Sequence, residues 1–184
     1  LLATLGSSAP CFVLQATPLI PAHPSLNLQV NSVIEALRGS GRNSQHGGYT
    51  LGLGSMPYPR PTVEGIRGTD SREGPKWITE VHRSGYIGAA FSLAEYDRVG
   101  RKPEGPYCIR EHHQHVFRAF GELCEEVIAA TDFDPPFVVD CLFQRARGTC
   151  YVVSQGSHSD ICDRDEIIWP AEIRQPGQPF AEVM

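Results

Sequence analysis

The sequence predicts an α+β fold: a mainly antiparallel sheet with one long and one shorter helix packed on a face. Three observations carry that prediction. Val116, Phe117, Phe120, Leu123, Cys124, Val127 and Ile128 recur at three- and four-residue intervals, which stacks them into one apolar stripe on a helix. Strand-like runs elsewhere are short, rich in β-branched and aromatic residues, and bounded by Gly and Pro. Their order relative to the helices is mixed, without the regular alternation that builds a parallel βαβ sheet.

Taken in order, Cys11 to Ala16 is an apolar run that reads as a strand, leaving through the prolines at 18, 21 and 24. Ser25 is a helix cap, and Leu26, Val30, Val33, Ile34 and Leu37 follow at helical spacing until Gly39 supplies a stop. GSGRNSQHGG, from Gly39 to Gly48, is a polar glycine-rich loop. Tyr49 to Leu53 and Thr62 to Arg67 flank a proline-rich interruption, which suits strand edges or a turn. Lys76 to Arg83, a Ser84-Gly85 turn and Tyr86 to Ser92 form the best hairpin, with Trp77, Thr79 and Val81 alternating on one face. GRKPEGP, from Gly100 to Pro106, marks the boundary before the long helix. After that helix, Phe137 to Phe143 reads as a strand returning past Arg147-Gly148 as a hairpin through Thr149 to Val153, and Ala171 to Arg174 as a last strand.

The 184 residues suit a single domain over residues 1–184, with 175–184 as a loose tail. The opening LLATLGSSAP has no initiator Met, basic segment or long apolar run, so it reads as part of a longer multidomain chain and not as a signal peptide. With 41% hydrophobic and 20% charged residues the composition is that of a globular protein. A net charge of −5 gives no global attraction to a polyanion. Of 16 basic residues only Lys76 and Lys102 are lysines, so planar guanidinium contacts dominate. Six cysteines form no CxxC pair, and Cys11, Cys124 and Cys141 lie in apolar patterns. A reduced, cytoplasmic protein is the expectation, with no membrane span.

The chemistry-bearing residues are few. His112, His113 and His115 cluster at the start of the long helix, but neither HExxH nor HxxxH occurs, so packing or surface roles are favoured over a metal site. HSDICDRDE places His158, Asp160, Asp163, Asp165 and Glu166 in nine residues. Such an oxygen-rich loop suits a hard cation, with His158, Asp160 and Asp163 as ligands, yet it lacks the glycine and spacing of an EF-hand; a solvated acidic loop is the default. No lysine follows a carboxylate on a strand, as a PD-(D/E)xK nuclease requires. GxSxG, Walker and GxGxxG motifs are also missing. No catalytic residue and no cofactor is therefore assigned. Arg38, Arg42, Arg145 and Arg147 are candidates for a phosphate-contacting patch, and Tyr49, Tyr58, Trp77 and Tyr86 for aromatic contact surface.

The succession CFVLQATPL, GRNSQHGGY, WITEVHRSGYIG, a long helix and VVDCLFQRARGT, and above all Val81 to Ile87, resembles the region that follows the Schlafen-type AlbA domain in some bacterial proteins. The resemblance implies an accessory role, with chemistry assigned to the AlbA domain, whose acidic cluster this sequence does not contain. Three readings follow. The first is a non-catalytic recognition or sensor domain, as of an antiviral defence factor, that binds a protein partner and regulates a neighbouring effector. The second is an RNA-contacting module serving an attached nuclease, which needs the four arginines on one face. The third is a metal-dependent enzyme using His158 and nearby carboxylates, or His112 and His115.

Overall fold

The computed structural model describes residues 9–29, 31–38, 45–46, 49–50, 60–69, 77–92, 107–154, 157–158 and 161–184. In chain order the strands are β1 (Cys11–Pro18), β2 (Gln45–His46), β3 (Tyr49–Thr50), β4 (Arg60–Pro61), β5 (Gly65–Thr69), β6 (Trp77–His82) and β7 (Ile87–Ser92). They continue as β8 (Tyr107–Ile109), β9 (Phe137–Gln144), β10 (Cys150–Ser154), β11 (Ser157–His158), β12 (Glu166–Ile168) and β13 (Glu172–Arg174). The helices are α1 (Asn31–Arg38) and α2 (Arg110–Thr131).

The apolar run Cys11 to Leu14 makes β1 a central strand, buried there on both faces and paired antiparallel with β7 on one side and β9 on the other. Around it the sheet of eight strands runs β12-β9-β1-β7-β6-β5-β4, with β13 also on β9, and every pairing is antiparallel. The fold is α+β as expected. Phe12, Leu14 and Ala16 of β1, Phe137, Val139, Cys141 and Phe143 of β9, and Trp77 and Val81 of β6 share one core with both helices. The stripe of α2 supplies Val116, Phe120, Leu123, Cys124 and Val127 to it, all at most 3% exposed. Each such Phe or Leu contributes about 1.5–3 kcal/mol relative to exposure. α2 stops where Asp132 turns left-handed (φ 51°), and Pro135 and Pro136 follow.

Four expectations need correction. The helix expected from Ser25 onward covers Asn31–Arg38, and residues 25–29 are not helical. Leu26 N–H donates to Arg83 O and Ala22 N–H to Ser84 O, so this segment is tied to the β6–β7 turn instead of to itself. β9 and β10 do not form a hairpin. Arg145 (φ 56°) and Gly148 (φ 81°) turn the chain aside, β10 pairs in parallel with β8 and antiparallel with β11, and β12 takes the place beside β9. Residues 175–184 are not loose: Phe180 is fully buried and its N–H donates to Glu125 Oε1 at 2.8 Å, while Gly177 N–H donates to Asp134 Oδ2 at 2.7 Å. Trp77 is 4% exposed, a core side chain facing the helices and not an exposed aromatic. Tyr58 and the segment 93–100 lie outside the described residues.

Candidate functional site

The strands are antiparallel and in register, so one residue of each forms a row across the sheet on the face away from the helices. Asp140 of β9 stands opposite Gln15 of β1, Gln15 opposite Gly88 of β7, Gly88 opposite Glu80 of β6, and Glu80 opposite Arg67 of β5. With strands about 4.8 Å apart, this polar row spans about 19 Å. Tyr86, two residues before Gly88, lays its ring along the row. A Cβ at position 88 would come within 2.3 Å of the phenol oxygen, so only glycine leaves the ring its place.

The row is a connected network. Tyr86 Oη donates to Gln15 Oε1 at 3.0 Å, and Gln15 Nε2 donates to Asp140 Oδ1 at 3.2 Å. Glu80 is ion-paired with Arg67, and its Oε2 lies 3.4 Å from His82 Nε2. His82 Nδ1 in turn is 3.4 Å from Glu64 Oε2, and its ring packs on Tyr86 with centroids 4.7 Å apart. Burial, reinforced by the Glu80 and Asp140 charges, pushes the Tyr86 phenol up to about 12, so it is a hydrogen-bond donor at neutral pH. Burial also raises the Asp140 carboxyl, an effect the Gln15 hydrogen bond opposes. The second amide hydrogen of Gln15 and the second oxygen of Asp140 have no partner among the described residues.

The row gives way to apolar surface at the sheet edge. Ile168 lies beside Leu142 and Ile173 beside Val138, on the same face as Asp140, and they are 70% and 53% exposed. Alternation along β12 turns Trp169 inward, opposite Cys141 and against Phe12 and Phe117, and after it the pairing with β9 slips by one residue at Pro170-Ala171, a bulge that restores the outward phase for Ile173. The isoleucines thus stay outward on both halves of the edge.

Among the described residues of the row no hydroxyl or thiol is hydrogen-bonded to a base, Tyr86 Oη donating to the Gln15 amide oxygen. Burial raises the Cys11 and Cys141 thiols, which makes them inert packing groups. Among the described residues no group of three or more His, Cys, Asp or Glu is placed to hold a metal ion. His158 lies on β11 and Asp163 is exposed, while Asp160 and the side chains of His112, His113, His115 and His158 lie outside the described residues.

Of the residues singled out from the sequence, only Tyr86 enters the row. Arg147 is engaged by Asp165 in two hydrogen bonds, of 2.9 and 3.1 Å, and Arg145 Nη1 is 3.5 Å from Ala9 O. Arg38 ends α1 with its side chain outside the described residues, as is all of Arg42. Sequence reasoning missed Gln15, Glu80, Asp140, Arg67 and His82. The signal present was a lone polar letter inside an apolar strand, in CFVLQATP, WITEVH and FVVDCLF.

Comparison with protein-family models, curated proteins and solved structures finds no match, so the functional reading rests on this geometry. No described helix is long and apolar enough to cross a membrane.

Proposed function

We propose that this chain is a non-catalytic recognition domain that binds a protein partner through the sheet face bearing the half-buried Asp140, Gln15 and Tyr86, with Ile168 and Ile173 as its apolar border and the buried Glu80 behind them. One observation carries the reading: exposed branched side chains adjoin a polar row in which Tyr86, Gln15 and Asp140 hold each other in place, Gln15 and Asp140 keeping hydrogen-bonding capacity unused among the described residues. Such a surface contributes apolar area and fixed polar contacts without ordering new side chains on binding. Nothing in the row supplies a nucleophile with its base, so recognition is favoured over catalysis. The resemblance to AlbA-associated regions extends the proposal to a cytoplasmic bacterial protein of antiviral defence, in which binding here regulates an effector domain of the same polypeptide.

The test is cross-linking with mass spectrometry on the full-length protein in its host, with and without phage infection, for wild type and Ile168→Asp/Ile173→Asp. Both positions are exposed, so the variant is expected to keep its melting temperature while losing a protein that wild type retains. An identical set of cross-linked proteins in both, or salt-released RNA as the sole companion, refutes the proposal.

A further inference from the structure

At the opposite end of the molecule from the isoleucine edge, a cavity of about 130 Å³ opens between the start of α1 and the β4–β5 turn. Leu28, Ile34, Pro61 and Ile66 make its walls largely apolar, with Gln29 beside them, and among the described residues Arg83 is the one charged group that lines it. Arg83 Nη1 lies 3.4 Å from Val63 O, which sets the guanidinium beside the turn that forms one wall. The nearby Glu64 carboxylate is directed to His82, and among the described residues Arg83 has no carboxylate partner. Apolar cavities of about 150 Å³ hold a benzene ring, so this one takes a body of about five to six carbons. A guanidinium with no carboxylate partner among the described residues, set beside such a pocket, suits an anionic head, which a carboxylate satisfies with two parallel hydrogen bonds.

We propose that this cavity is a binding site for a small monocarboxylate with a compact branched or aromatic body, its apolar part against Leu28, Ile34 and Ile66 and its carboxylate on Arg83. The site is separate from the sheet face and independent of the partner proposed for it. Titration calorimetry with 4-methylpentanoate and phenylacetate tests it directly. Saturable binding with a dissociation constant of about 0.1–1 mM is expected for at least one of them. The neutral analogue 4-methylpentan-1-ol is expected to bind at least about tenfold more weakly, as is the acid to Arg83→Gln. Ile34→Phe, which fills the cavity from a half-buried position, is expected to abolish binding with the melting temperature retained. The proposal is overturned if neither acid saturates below about 10 mM, if the alcohol binds as well as the acid, or if both variants bind like wild type.

Discussion

Among the described residues Arg174 is the largest side chain that is essentially fully buried, at 2% exposure, and a lone guanidinium there is costly unless matched. Three things match it: Asp134 pairs with Nη1, Gln178 O accepts from Nε at 2.6 Å, and the Phe180 and Phe137 rings lie 4.7 and 6.0 Å from Cζ. Asp134→Ala removes the countercharge and the acceptor of Gly177 N–H together. Breaking a buried pair costs about 3–5 kcal/mol, and since the Asp134 side chain is 30% exposed the expected loss falls to about 2–3 kcal/mol. For a chain of this size that lowers the melting temperature by about 4–12 °C, read by circular dichroism. Arg174→Met/Asp134→Ala removes the charge as well and leaves an apolar side chain on two rings. It should lose only about 1 kcal/mol. A shift below about 2 °C for Asp134→Ala, or a double variant at least as unstable as the single one, would refute the view that Asp134 neutralises a buried cation.

Two further outcomes concern the polar row. Because the folded state holds the Tyr86 proton up to about 12, its contribution to stability is full below the ordinary tyrosine value of about 10 and is lost as pH rises through that window. Ultraviolet titration should show a late phenol whose amplitude is lost in Tyr86→Phe, and also in Gly88→Ala, whose methyl displaces the ring at a cost of about 1–3 kcal/mol; the same late amplitude retained in Gly88→Ala would contradict the packing. The raised Asp140 carboxyl has the same sign, its contribution full below about pH 4 and declining as pH rises through its folded value. Asp140→Asn should therefore melt about 1–3 °C higher at pH 7 with no gain near pH 4, and a lower melting temperature at pH 7 would show the carboxylate to be net stabilising.

The long helix, the β6–β7 hairpin and the central strand were legible because each is governed by local periodicity: a 3.6-residue stripe, a period-two alternation about Ser84-Gly85 and a short apolar run. The start of α1 and the path after β9 were not. Both are decided by hydrogen bonds to segments remote in sequence, Leu26 N–H to Arg83 O in one case and Gly148 N–H to Cys162 O in the other. Phe180 likewise looks like tail in the sequence, but the Glu125 acceptor and the Arg174 guanidinium, 55 residues before it and on a neighbouring strand respectively, hold it in the core.

By itself the sequence determined the α+β class, the helix stripe and the apolar identity of β1, since burial periodicity is written in consecutive residues. Only the tertiary structure decided the candidate site. Gln15, Glu80 and Asp140 are single polar positions tens of residues apart, and they become one row because antiparallel register sets β9, β1, β7 and β6 side by side. Register belongs to pairs of strands and not to either strand alone, so no stretch of consecutive residues records which polar side chains will meet.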